Sequence, residues 1–240
     1  MTDKEYFEAL CRADGESLHI RDSIGRMSEK RLHRIIKSFV AKDPATHEIS
    51  VGKYIADALA DGEIFEIQTK AFSRLAPKLE YYLRETPYSV TVVYPVIRNR
   101  MLIRIDPETG EILRKQTSPK HGESINALPE LFCIRDFLPN ERIKIRLLFI
   151  DAEEYRYSER VRYRRTGAYD SELFPTALIG EEEYKYAEDF ERFIPSDRTS
   201  FTASEYSKIT KLTGRKLYAA LALLCSLGIL KKENRTCCRI

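Results

Sequence analysis

The chain has 240 residues, 43% of them hydrophobic and 32% charged, with a net charge of only +3. That length allows one large domain or two modest ones with a real core, and no apolar run approaches the roughly 20 residues of a membrane helix. The opening MTDKEYFEALCRADGE lacks the apolar stretch of a signal peptide, so a cytoplasmic protein is expected. Five cysteines without a CxxC pair argue against a disulfide scaffold and against structural zinc.

In chain order, an N-terminal lead precedes SEKRLHRIIKSFVAK, where Leu32, Ile35, Ile36, Phe39 and Val40 recur at helical spacing behind a Ser28 N-cap. THEISV, KYIADALA and EIFEIQTK are strand-like, rich in β-branched and aromatic residues. SRLAPKLEYYLRE returns to a helical stripe of Leu75, Leu79, Tyr82 and Leu83, and SVTVVYPV is a near-continuous apolar strand suited to burial on both faces. Helix, three strands, helix, strand is an α/β layer arrangement on a mixed sheet.

Beyond it, MLIRIDPETGEILRK reads as a second hairpin around Asp106–Gly110 and SINALPELFCIRDFL as a helix. RIKIRLLFIDAEEYRY reads as a long strand, and EEEYKYAEDFERFIPSD as an acidic helix and connector. YRYSERVRYRR, 155–165, interleaves tyrosine with arginine in a way that suits a phosphate backbone or an exposed strand.

Charge is unevenly spread. Residues 201–240 hold eight Lys or Arg against Glu205 and Glu233, a net +6 that leaves −3 for the rest. A basic terminal module on a near-neutral body suggests a polyanionic partner, DNA above all. Thr202 with Glu205 fits a capping box, and Thr213-Gly214 a turn into RKLYAALALLCSL. Leu217, Leu221 and Leu224 form that helix's inner stripe, widened by Ala220, Leu223 and Leu227, and ILKKENRTCCRI follows as strand, turn, strand.

Asp61-Gly62 sets the register of the first hairpin, because a two-residue type I′ turn needs positive φ at both positions. Ala60 then opposes Glu63, Asp57 opposes Glu66, Ile55 opposes Gln68 and Lys53 opposes Lys70. Opposed residues share a face, so Asp57, Glu66, Gln68 and Lys70 form one polar cluster on an apolar hairpin. Two carboxylates about 5 Å apart repel by roughly 3 kcal/mol at an effective dielectric near 20. A divalent cation reverses that sign, and Mg²⁺ takes one or two carboxylates while keeping its waters. The alternative is a solvated hairpin whose acids are neutralised by Lys53 and Lys70.

Asp57, a hairpin, then Glu66-Ile67-Gln68 resembles the PD-(D/E)XK nuclease superfamily, whose core has this order of elements and whose motif is Asp, a gap, then (D/E)-x-K. Gln stands in for that lysine in some type II restriction enzymes. Archaeal-type Holliday junction resolvases of the superfamily carry a first-helix acid after a Gly, as Gly25 and Glu29 are placed here. The resemblance implies that Asp57, Glu66 and Glu29 hold Mg²⁺ or Mn²⁺, with Gln68 at the lysine position and Lys70 supplying charge. It implies a restriction endonuclease-like mixed sheet flanked by helices over residues 1–97, then a small α+β extension and connector over 98–195.

Residues 196–240 resemble a winged helix-turn-helix, whose second helix enters the major groove. That resemblance places Thr213, Arg215 and Lys216, with Tyr218 beside them, at the bases, and Lys231, Lys232 and Arg235 on the wing near phosphates. The expected protein is thus a metal-dependent DNA nuclease. Two alternatives stand beside it: a non-catalytic DNA-binding regulator on a degenerate nuclease fold, and an interaction module forming a homodimer through the winged helix.

Overall fold

A computed structural model describes residues 1–16, 28–69, 71–106, 109–157 and 171–240. Strand β1 (His47–Val51) turns at Gly52 and Lys53 into β2 (Tyr54–Ala60), antiparallel, with Val51 opposite Tyr54. At the next turn Asp61 has φ 51° and Gly62 φ 78°, the two positive values a type I′ turn requires. Strand β3 (Glu63–Ile67) therefore pairs with β2 as Ala60 to Glu63, Leu59 to Ile64 and Ala58 to Phe65. That register is the one the Asp-Gly dipeptide predicts.

Helix α3 (Ala76–Glu85) then carries the chain over to β4 (Ser89–Ile105), which runs parallel to β3 with Glu66 beside Val92. Parallel strands need such a crossover. Val90, Thr91, Val92 and Val93 have no exposed surface, as a strand covered on both faces should. Helix α3 presses Leu79 and Tyr82 inward, and its N-cap Leu75 is buried beside them. Its C-terminal carbonyls are held by the Arg142 guanidinium, which donates to the carbonyls of Leu83, Thr86 (2.7 Å) and Tyr88 (3.3 Å). A cation at a helix C-terminus satisfies carbonyls that lack intrahelical partners.

Strand β5 (Ile112–Thr117) folds back on β4, antiparallel, while β6 (Ile143–Tyr157) and β7 (Ser171–Tyr184) extend the sheet. The order is β1-β2-β3-β4-β6-β7 with β5 also on β4, a mixed seven-stranded open sheet in an α/β chain. Several expectations need correcting. The lead contains a helix, α1 (Asp3–Glu16), and helix α2 (Ser28–Val40) follows the stretch outside the described residues. The helix expected over 124–138 is a broken series: a 3-10 turn at Ser124–Ala127, α4 (Leu128–Leu131) and another 3-10 turn at Phe132–Ile134. The acidic stretch expected as a helix is the end of β7 followed by a 3-10 helix, Ala187–Phe193. Tyr155–Tyr157 close β6, and 158–165 of the basic tyrosine stretch lie outside the described residues.

The chain forms two compact units, one of Met1–Ala45, Pro95–Gly122 and Leu148–Glu181, the other of Thr46–Tyr94, Glu123–Leu147 and Glu182–Ile240. In the first, Phe7 meets Phe39 edge to face at 5.3 Å, and buried Arg31 pairs with Asp14 at 2.8 Å while lying over the Phe174 ring. The second holds the first hairpin, α3 and the C-terminal segment. There β8 (Ser200–Thr202), α5 (Ala203–Thr210), α6 (Gly214–Ser226), β9 (Leu230–Glu233) and β10 (Thr236–Arg239) fold together, the strands antiparallel in the order β8-β10-β9. Thr202 caps α5 through Glu205 in the expected reciprocal box. Leu217, Ala220, Leu221, Leu223, Leu224 and Leu227 are all buried, as the stripe predicts.

Candidate functional site

Glu66 is the most unusual side chain of the first hairpin: a carboxylate only 2% exposed, on a central strand. The crossover explains how it is tolerated. Lys78 and Tyr82 lie four residues apart on α3, hence on one face. The Lys78 ammonium donates to both Glu66 oxygens at 2.8 Å, and the Tyr82 hydroxyl donates to Oε1 at 3.0 Å. Burial and the neighbouring Asp57 charge push the Glu66 carboxyl up to about 7, against the opposing pull of Lys78 and Tyr82. Burial, and then Glu66 itself, drive the Tyr82 phenol well above its usual range.

Asp57 is half-buried on β2, and its Oδ2 accepts the Ile67 backbone N–H at 2.8 Å. That bond runs from β2 to the residue after Glu66, so the two carboxylates sit together at the open end of the hairpin, close enough for the Asp57 charge to raise the Glu66 carboxyl. Burying carboxylates is expensive unless they are paired and hydrogen-bonded.

The remaining predicted residues divide. Gln68 follows β3 and donates its backbone N–H to the Val93 carbonyl at 2.9 Å, so it continues the parallel ladder beside the pair. Lys53 does not neutralise the acids. It occupies the β1–β2 turn, with its ammonium 5.3 and 5.4 Å from the ring centres of Tyr54 and Tyr81. Tyr54 meets Tyr81 and Tyr82 edge to face, so an aromatic wall with a cation over it adjoins the carboxylates. Lys70 lies outside the described residues, as does Gly25; Glu29 falls in the first turn of α2, with its side chain outside the described part. Among the described residues no three His, Cys, Asp or Glu side chains group to hold a metal.

Two site residues, Lys78 and Tyr82, are not apparent from the hairpin alone. The signal for them is present. A helix linking parallel strands β3 and β4 must cross the sheet near β3, and a buried Glu there needs a cation from that helix.

In the C-terminal segment Thr213 is the N-cap of α6, and Arg215 and Lys216 stand exposed in its first turn. Tyr218 is 63% exposed, large for an aromatic on a packed helix. Lys232 and Arg235 are exposed on the β9–β10 ribbon, whereas Lys231 pairs with Glu233 at 3.0 Å. No helix among the described residues is long and apolar enough to cross a membrane.

No curated protein and no solved structure matches the chain. A family match covers residues 30–184, from α2 through the last residue of β7, and so includes Asp57, Glu66, Gln68, Lys78 and Tyr82. On that match the chain belongs to the family described as "Domain of unknown function (DUF8091)".

Proposed function

We propose that the protein is a metal-dependent DNA nuclease of the PD-(D/E)XK type, with its carboxylate pair on the first hairpin and a C-terminal winged helix that binds the substrate. The observation that carries this reading is Glu66: a buried acid pressed against Asp57, with its proton affinity raised. Such an arrangement costs stability and is common where charge is put to use. The meander β1-β2-β3, the α3 crossover and parallel β4 agree with the nuclease core's order. The β8-β10-β9 sheet around α5 and α6 agrees with a winged helix.

The donor set fits Mg²⁺ or Mn²⁺: two adjacent carboxylates are what a hard cation retaining its waters takes. Asp57 and Glu66 would hold it, with Glu29 assigned to the same set only by the resemblance. The bound cation would polarise a phosphodiester oxygen and lower the pKa of a water. Tyr82 fixes the Glu66 rotamer through Oε1. Lys78, once Glu66 has another cation, is a free ammonium tethered beside the scissile group, placed to neutralise charge developing on phosphate. It supplies from α3 the positive charge that the Gln68 position lacks. Arg215, Lys216, Lys232 and Arg235 would neutralise DNA phosphates or reach bases.

The test is cleavage of linear, single-stranded and branched DNA with Mg²⁺ or Mn²⁺. Asp57→Ala and Glu66→Ala should each lower cutting by more than about 100-fold, since even outer partners of a catalytic metal are worth 10–100-fold. Metal-dependent cutting that survives both substitutions would sink the assignment. One observation favours a second reading, a DNA-binding protein without catalysis: Lys78 already engages both Glu66 oxygens. Salt-sensitive DNA binding without cutting, in either metal, selects it.

A further inference from the structure

A second concentration of charge lies in the other unit, where β5, β4 and the end of β6 are neighbours. Arg104 of β4 stands directly opposite Arg114 of β5, and Leu102 opposite Gln116. Opposed residues share a face, and like charges placed so are destabilising. Neither arginine has an ion-pair partner among the described residues, and both are exposed. On β6, Glu154 binds the Arg100 guanidinium at 2.7 Å and Arg156 Nε at 2.7 Å. One glutamate thus orients Arg156 while serving two guanidiniums, and among the described cavity-lining residues the charge is positive. A cavity of about 150 Å³ opens there, lined by Leu102, Ile103, Arg104, Arg114, Gln116 and Arg156.

We propose that this cavity binds a phosphate group. Three arginines and an amide lining one cavity make an oxyanion site, because arginine presents paired N–H groups to phosphate oxygens. The cavity falls below the roughly 300 Å³ at which pockets for whole small molecules begin, so it takes a charged group and leaves what carries that group outside. An anion between Arg104 and Arg114 turns a repulsive cross-strand pair into a shared ligand shell. The carrier is a phosphomonoester such as a nucleotide, or a nucleic-acid strand. The site is separate from the carboxylate pair and stands whether or not that pair cuts DNA.

Calorimetric titration with inorganic phosphate, a nucleoside monophosphate and a single-stranded oligonucleotide, at matched ionic strength, tests it. The wild type should bind inorganic phosphate saturably, and the Arg104→Gln/Arg114→Gln variant at least about tenfold more weakly, the loss of one or more charge-assisted bonds. Both positions are exposed, so the variant's melting temperature should hold or rise. Lys115→Gln, opposite buried Ile103 and so on the other face, should bind as the wild type does. An oligonucleotide bound about tenfold tighter than the monophosphate, with that gap closed in the double variant, identifies a strand as the carrier; equal affinities identify a phosphomonoester. No saturable phosphate binding, equal affinity in the double variant, or an equal loss in Lys115→Gln would overturn the proposal.

Discussion

Glu66 concentrates the residue-scale physics. Its carboxyl lies above its ordinary value of 4.5, at about 7, through burial and then Asp57. The folded protein therefore holds a proton that the unfolded chain has already released. Stability on this account is greatest below pH 4.5 and is lost as pH rises to about 7, by roughly 3 kcal/mol for a shift of this size. Asp57→Asn removes the second cause while an amide oxygen can still accept the Ile67 N–H. It should raise the unfolding free energy above pH 7 by on the order of 1 kcal/mol, and change it little near pH 4. Urea titrations at both pH values measure this, and a variant destabilised equally at both contradicts it. The opposition of Asp57 and Glu66 is legible in the sequence because a dipeptide turn fixes pairing by counting. Lys78 is not, since its partner is twelve residues away and its face of α3 is set only by the crossover.

At the scale of elements, local chemistry speaks clearly where it is self-contained. The Asp61-Gly62 turn, the Thr202 capping box and the α6 stripe depend on nothing distant, and each is read correctly from a few residues. Strand β7 contains Pro175 and Gly180, which weaken any strand pattern, and its pairing with β6 is invisible along the chain. The 124–138 segment has apolar residues at helical spacing, yet Pro129 opens α4 and the helix lasts only one turn. Helix α3 illustrates dependence on a distant residue. Arg142, just before β6, binds three carbonyls at its C-terminal end. Arg142→Ala should cost about 1–3 kcal/mol, the penalty for orphaned acceptors and a missing charged bond. Because α3 carries Lys78 and Tyr82, hydrogen exchange in α3 should quicken as well. A variant with unchanged stability and unchanged α3 protection would show that the staple is idle.

For the whole molecule, the family match ends shortly before the strongly basic segment begins. The family match ends at Tyr184, and the segment with a net +6 begins at residue 201. A family body carrying the carboxylate pair is thus followed by a basic module whose exposed cations crowd the start of α6 and the β9–β10 ribbon. If the module grips duplex DNA, Lys232→Ala/Arg235→Ala should flatten the plot of log affinity against log salt. The slope should fall by about 0.9 for each phosphate no longer neutralised, close to 2 for both side chains. Fluorescence anisotropy across a salt series reads this directly, and an unchanged slope removes those two side chains from the interface.

If the carboxylate pair takes a metal as proposed, the ammonium of Lys78 also bears on how the protein would survive metal starvation. Many metal centres collapse when stripped, because their acids are then left facing one another. Here an organic cation from the chain already bridges Glu66, so that carboxylate has its own counterion without a metal. Treatment with a chelator should leave the melting temperature within about 1 °C of the untreated protein, whereas saturating Mg²⁺ raises it by the ordinary linkage of ligand to folded state. On the proposed reading, readiness for metal and independence from it would come from the same side chain, four residues before the tyrosine that holds Glu66 in place.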